Sequence, residues 1–566
     1  MDSSLPSVRT YPVLSRRQIE GQIADGRHIV IVNQHVLKVD AWLKYHPGGD
    51  IAIKHMVGRD ATDEVTALHS LEAVQMMDKY RIGRIEGRWK NFLPPIQGGI
   101  FRPISESCDA DMMDGFEKDE DATASCDANS RSPSPIFDNT VPSTRSRKSG
   151  HGVSRTTSVS SVSVSEEPEG PLDGMAVLDA RTKELIKLDV EKYPSLDDAT
   201  QDDIIRKYRL LNERIKAEDL YRCHYRSYAI EIARYTTLFT LMLLTLSWQW
   251  WAVSGFFLGA FWHQLVFAAH DAGHMGITHD FHVDTVIGII IADFFGGLSL
   301  GWWKRNHNVH HIVTNSPEHD PDIEHMPFFA ISHRLLQSLR SSYYERVMEY
   351  DAFAKVLIRI QAYSYYPILT FGRFNLYRLS WIYLLFGQAP KKGPAWWHRW
   401  FEIAGQCVFW TWFGYGILYK TIPNNWGRFV FVMVSHVVTM PLHLQITLSH
   451  FAMSTADLGP AESFPQKMLR TTMDVDCPQW LDFFHGGLQF QAIHHLYPRI
   501  PRHNLRRTQK LVQEFCNEVG IPYALFGFVD GNKEVIGRLA DVSRQAAILA
   551  KCQQALAKSD DPLHIH

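Results

Sequence analysis

The chain lacks every short cysteine motif. Its seven Cys (Cys108, Cys126, Cys223, Cys407, Cys477, Cys516 and Cys552) form no CxxC or CxxCH. That excludes a zinc ribbon, a thioredoxin-type pair and a covalently attached haem. An odd number of scattered thiols fits a reducing compartment facing the cytosol. A basic excess is also missing: 58 Lys and Arg stand against 61 Asp and Glu, for a formal charge of −3. No nucleic-acid-binding face is expected from such a balance. The opening MDSSLPSVRTYPVLSRR has no apolar run and does not read as a signal peptide, so membrane insertion is expected from internal segments. The mean hydropathy of −0.18 hides those segments, because polar and apolar residues sit in separate blocks.

The blocks define the expected organisation. Residues 8–92 read as a small soluble α+β module, with a β-rich run at 28–39 folded about Asn33–Gln34. Residues 100–185 are dominated by Ser, Pro, Asp and Gly and read as a disordered linker, with too little apolar surface to offset the entropy of ordering. A phosphate on Ser158, in Arg155-Thr-Thr-Ser158, would reverse the local charge there. Thr200-Gln-Asp-Asp203 resembles a capping box before a helix in which Ile204, Ile205, Tyr208, Leu211 and Ile215 recur at helical spacing. That helix suits either a membrane surface or a soluble core. Long apolar stretches follow: a hairpin from 235 to 269, then 285–303, 405–419 and 429–448. With about 20 residues needed per span, they predict an all-α membrane domain over 198–530 with about four transmembrane helices. The stretch at 361–386 is expected at the interface, and residues 531–566 form a C-terminal tail.

Chemistry enters first at His46-Pro-Gly-Gly-Asp50, followed 23 residues later by His69. Two imidazoles from separate short helices can grip one iron from opposite faces, which leaves no open position and suits electron carriage. Asp50, Asp60, Asp63 and Glu64 would line the edge of that site with negative charge, fit for a basic electron donor. The run from Val30 through Trp42, the His-Pro-Gly-Gly-Asp motif and His69-Ser70 together resemble a cytochrome b5 domain. The resemblance implies haem b with His46 and His69 as axial ligands. His55 lies outside the motif and reads as a surface residue.

Three further clusters carry His270-Asp-Ala-Gly-His274, His307-Asn-Val-His310-His311 and Gln491-Ala-Ile-His494-His495. On a helix, i, i+3 and i+4 side chains share one face. With 28 His in 566 residues, such clustering does not arise by chance. Converging in space, the clusters could hold two metal ions. Breaking an unactivated C–H bond needs an oxidant made from O2, which iron can supply and redox-inert zinc cannot.

These boxes resemble those of the membrane fatty-acid and sphingolipid desaturases. The Gln491 box and the N-terminal haem module are similar to the front-end subgroup, and the run from Trp480 to Arg499 looks closest to the Δ8 sphingolipid desaturases. The Ala-Ile between Gln491 and His494 departs from the Ile-Glu or Val-Glu usual there. The resemblance implies two non-haem irons on His270, His274, His307, His310, His311, His494 and His495. Gln491 matches a ligand position, directly or through a water, and His450 resembles a further ligand. Asp271 is expected to hold a ligating imidazole by a hydrogen bond. His279, His282, His319, His325, His485 and His503 are expected to be structural. The implied reaction is O2-dependent desaturation of the long-chain base of ceramide. Electrons would come from NADH through a cytochrome b5 reductase. The implied setting is the endoplasmic reticulum membrane, with haem module and boxes on the cytosolic side. A Δ6 or Δ5 front-end fatty-acyl desaturase is the nearest alternative. A lipid 2-hydroxylase, or a membrane-anchored haem carrier without chemistry of its own, lies further off.

Overall fold

A computed structural model describes residues 10–104 and 174–559. Ser158 lies outside the described residues, as does most of the expected linker.

The N-terminal module opens with α1 (Arg16–Ala24), where Ser15 and Gln18 exchange the two hydrogen bonds of a capping box. Strands β1 (Ile29–Val32) and β2 (His35–Lys38) pair antiparallel with Ile31 opposite Val36. Asn33 and Gln34 between them both take positive φ, 49° and 62°, the conformation a tight two-residue hairpin requires. Helices α2 (Ile51–Lys54), α3 (Thr62–Leu68) and α4 (Leu71–Met77) follow, and β3 (Arg81–Arg84) completes the sheet in the order β1-β2-β3. Behind the sheet, Ile19, Ile23, Ile29, Ile31, Val36, Val57 and Ile85 form a closed core. The module runs past residue 92: Arg17 donates to the Arg102 and Pro103 carbonyls, and the Phe101 ring packs on Phe92.

The second body begins earlier than expected. Helix α5 (Gly174–Lys192) takes up residues 174–185 of the segment read as linker. It is ordered by a partner distant in sequence: Leu178 is buried with Val542, Ala546 and Leu549. Helix α6 (Asp198–Ala217) is capped by Asp197, whose carboxylate accepts from Thr200 N–H, so the true cap lies three residues before the expected Thr200. Its stripe of Ile204, Tyr208, Leu211 and Ile215 joins a soluble core with Leu511, Val512 and Phe515, not a membrane surface.

Helices α7 (Tyr225–Ser247) and α8 (Trp251–Gly273) form an apolar hairpin with exposed Trp248 and Trp250 at its turn, as interface anchors. Helix α9 (Phe281–Ile289) continues as a π-helical turn to Phe295, then the chain bends by 117° into α10 (Leu300–Val313). Thus the stretch 285–303 is not one straight span. Then come α11 (Ala352–Leu369), α12 (Gly372–Leu385), α13 (His398–Phe409) with a π-helical extension to Thr421, α14 (Asn425–Val437) and α15 (Met440–Phe451). Among the described residues three helical stretches are long and apolar enough to cross a membrane, Tyr225–Ser247, Trp251–Gly273 and Asn425–Phe451 (α14 with α15), and a fourth if the bent pair counts as one. The stretch 405–419 is not among them.

The remaining chain folds back over one end of these helices. It comprises α16 (Phe464–Thr471), β4 (Asp474–Asp476), α17 (Asp482–His485), α18 (Gln491–Leu496), α19 (Leu505–Val519), β5 (Leu525–Gly527) parallel to β4, and α20 (Phe528–Ser559). The segment expected as a tail is therefore mostly one long helix, packed on α11 and α5.

Candidate metal and haem centres

His46 follows a short 3-10 turn, Leu43–Tyr45, and His69 ends α3. Their rings stand 5.9 Å apart between centroids. Two metal–imidazole bonds of about 2 Å each, plus the ring radii, span about 6 Å. Each ring is turned by its Nδ1–H, which donates to a backbone carbonyl: Gly49 at 2.7 Å for His46 and Val65 at 3.1 Å for His69. Both Nε2 lone pairs are left for a metal. Gly49 takes φ 85° to bring its carbonyl round, a conformation costly to any residue with a Cβ. Burial, and then the neighbouring His46, push the His69 imidazole down to about 4, so it is neutral and ready to ligate. Leu37, Val39, Ile51, Ala52, Met56 and Ala61 give the surroundings an apolar wall. These residues fit a haem.

The four histidine-bearing segments converge. His270 and His274 end α8, His307, His310 and His311 lie on α10, His450 ends α15, and His494 and His495 lie on α18. One nitrogen each from His270, His274, His307 and His494 falls within 4.8 Å of the others, and His310, His450 and His495 form a second such group. His311 stands between them. Its Nε2 is 3.1 Å from His307 Nε2, and its ring centroid is 4.8 Å from His494 and 4.3 Å from His495. Buried nitrogens without a partner remain on His274, His311, His450, His494 and His495. Lone pairs and N–H groups left so in a dry interior are costly unless something binds them. Two metal ions, one per group, would satisfy the lone pairs, and a neutral imidazole set suits iron. Gln491, one turn before this pair on α18, is also buried with its Oε1 unpartnered.

Other groups hold the ligand rings, and the sequence reading missed them. His310 Nδ1–H donates to Asp320 at 2.9 Å, and Asp320 also accepts from Asn315 N–H at 2.7 Å. Asp322 lies 3.5 Å from His307 Nδ1. The signal was the His319-Asp-Pro-Asp322 run shortly after the second box. Asp474 caps α18: its carboxylate accepts from Ala492 N–H at 2.8 Å, from Gln509 at 2.8 Å and from the Tyr523 hydroxyl. Burial raises this carboxyl to about 6. Asp271 does not do what was expected. Its nearest oxygen is 3.9 Å from His270 Nδ1, too far for a hydrogen bond. Instead it takes Arg502 at 2.5 Å and the Tyr228 hydroxyl, while Arg502 also pairs with Glu231. The chain after the third box is thereby clamped to the first. Among the histidines expected to be structural, His279 bridges the Met275 and Tyr221 carbonyls and His325 bonds the Asp322 carbonyl.

The two centres share a wall. Val309, Ile312 and Val313 of α10 belong to the same apolar cluster as Ile51, Ala52 and Met56 of the haem-fitting module. A Cβ on Gly48 would come within 2.6 Å of Asn308, so the Gly pair also permits this close approach. Arg305 reaches Asp50 at 3.3 Å, Arg209 reaches Asp63 at 2.7 Å, and Arg499 donates to the His69 carbonyl at 2.7 Å. His55, read as a surface residue, is fully buried in this junction against His319, because the second body covers it.

Comparisons with known proteins agree with this geometry. Residues 15–86 match the family described as cytochrome b5-like haem/steroid binding domain, and residues 246–527 match fatty acid desaturase. The chain is 65% identical to a Delta 8-(E)-sphingolipid desaturase of Emericella nidulans, covering 96% of this chain and 97% of that protein. A protein of the same name from Candida albicans is 47% identical, with 95% and 97% covered. A Delta(8)-fatty-acid desaturase of Helianthus annuus is 39% identical over 52% of this chain and 63% of its own length. An N-terminal haem-binding module, apolar helices and converging histidine boxes, matched over nearly the full length, show that the chain belongs to the membrane fatty acid desaturase family, in the branch fused to a cytochrome b5 domain.

Proposed function

We propose that the chain places a double bond at the Δ8 position of the sphingoid long-chain base of ceramide, with the E geometry named for its relatives. The carrying observation is the full-length similarity to Delta 8-(E)-sphingolipid desaturases, together with two histidine groups built from all three boxes. In this reading His270, His274, His307 and His494 hold one iron and His310, His450 and His495 the other. His311 serves between them, and Gln491 acts through its oxygen or a water. Bound there, iron supplies the O2-derived oxidant that removes two hydrogens from the lipid. The protein's own share is orientation. Asp320 fixes the His310 ring, Asp474 fixes the helix that carries His494 and His495, and the Arg502–Asp271 pair holds first and third boxes in register. His46 and His69 hold the haem that delivers electrons, received from NADH through a cytochrome b5 reductase. For the domains this reading takes a haem module over described residues 10–103 and a desaturase body over described residues 174–559. The endoplasmic reticulum membrane, with haem and boxes on the cytosolic face, is the setting that gives the reductase access.

The test is the sphingoid-base profile of a yeast without its own Δ8 activity, with and without this chain. Sphingadienes unsaturated at C8 are expected. New polyunsaturated fatty acids without them would replace this substrate with a fatty-acyl one.

A further inference from the structure

Two more histidines repeat the pattern of the box site one layer deeper. His263 stands seven residues before His270 on α8, and His443 seven before His450 on α15. Seven residues make about two helical turns, so each falls on the face of its box histidine, about 10.5 Å further into the membrane body. One helix serves the first histidine group and the other the second. At this depth the helices meet. Val266 and Phe267 of α8 pack with Leu442 of α15, and His263 and His443 lie within electrostatic reach of each other.

Both rings carry a buried Nε2 without a partner. At His263 the state of that nitrogen is fixed by a neighbour. Gln264 Nε2 donates to the Phe483 carbonyl at 2.9 Å and to His263 Nδ1 at 3.3 Å, while its Oε1 accepts from Arg234 at 2.8 Å. With Nδ1 accepting, the neutral ring carries its proton on Nε2. The result is an N–H donor without an acceptor, on a residue only 4% exposed. Such a group is costly inside a membrane body and marks a ligand path. The strip above it is open from the side: Ile446, between His443 and His450 on the same face of α15, is 37% exposed.

We propose that His263 and His443 receive the polar end of the sphingoid base and so determine which carbon reaches the irons. His263 Nε2–H donates to the C3 hydroxyl oxygen, and His443 Nε2 supplies the second polar contact. The spacing suits the C8 position. Five zigzag carbon–carbon bonds of about 1.5 Å each separate C3 from C8. With the C–O bond and a hydrogen bond of about 2.8 Å, they cover the two turns between the layers. A fatty-acyl chain has no hydroxyl at this place and leaves the donor unpaired. The inference rests on the reading of the substrate as ceramide and adds the residues that recognise it.

The test offers three ceramides to full-length, haem- and iron-loaded protein in lipid nanodiscs, with NADH and a cytochrome b5 reductase. They are the ceramide of sphinganine, its 3-deoxy analogue and its 3-keto analogue, and kcat/KM is read by mass spectrometry of the products. Wild type should use the 3-keto ceramide, which keeps an acceptor at C3, within a few-fold of the parent. It should use the 3-deoxy ceramide about tenfold less well or worse, because a site built to bond a hydroxyl rejects the analogue without one. In His263→Phe that preference should shrink to about one, through loss on the parent alone, with 3-deoxy turnover and bound iron as in wild type. His443→Phe should shrink it in the same direction. His263→Gln, which keeps an N–H donor, should retain most of it. His263→Met and His443→Met remove the donor without adding a ring and are read where Phe costs iron. Equal losses on parent and 3-deoxy ceramide at either position, which leave the preference intact, would overturn the inference and make that histidine structural. A wild type indifferent to the C3 group overturns it as well. If wild type forms no C8 double bond in any of the three, the ceramide reading itself fails.

Discussion

The two histidine centres are built on opposite principles. At the haem site each ring is oriented by a backbone carbonyl three or four residues away, inside one short stretch of chain. At the box site the rings come from four segments spread between His270 and His495, and five of them keep a buried nitrogen without a partner. The first centre is local and can form within a small module. The second exists only when the whole membrane body is assembled. The contrast teaches that the box site is the fragile one, held by a few long-range groups and by its metals.

The largest test of that contrast is ligand removal on each side. His310→Ala/His311→Ala should abolish sphingadiene formation, by at least 1,000-fold on the scale of lost essential chemistry, while the haem absorbance survives. His46→Ala should do the reverse. The haem band disappears, box iron measured by elemental analysis stays, and product falls to what separately supplied cytochrome b5 supports. Metal removal sharpens the same point. Dialysis against a strong iron chelator should empty the boxes and leave the haem spectrum intact, and equal loss from both sites would erase the distinction.

Smaller effects probe the orienting groups. Losing the partner that fixes a ligating imidazole costs about 10–100-fold in metal affinity or activity. Asp320→Ala should fall in that range, read as iron retained and product formed, with Asp320→Asn between it and wild type. Asp474→Ala leaves the Ala492 N–H and two side-chain donors buried without an acceptor, costing about 1–3 kcal/mol. A lowered Tm with a partial loss of activity is expected, and Asp474→Asn should recover most of it by keeping one acceptor oxygen.

How much of this was legible in the sequence follows from the same contrast. The haem ligands, the Asn33–Gln34 hairpin and the apolar spans are local patterns, and local patterns can be read. The box histidines announced themselves by helical spacing, and His450 by its place at the end of a span. Their partition into two groups did not, because it depends on how α18 folds back over α8, α10 and α15. Asp320 stood in an acidic run after the second box, but nothing there assigned it to His310, for want of any helical relation between loop and helix. Asp271 was misassigned because proximity in sequence to His270 suggested a contact that Arg502, 231 residues away, had already claimed. Helix α5 was swallowed by the polar stretch before it, since its only strongly buried large side chain, Leu178, is recognised through α20.

That pairing of α5 with α20 has a consequence in time. Arg181 and Asp541, which join the two helices, are 360 residues apart. At about 5–20 residues per second of synthesis, the later partner emerges roughly 20 to 70 seconds after the earlier one. During that interval α5 has only part of its partners, among them Ala330, Leu335 and Leu336 beside Leu178 and His333 beside Thr182. Helix α5 is thus fastened in two stages, and a nascent chain stalled before residue 541 would carry a finished haem module on a helix held by its earlier partners alone.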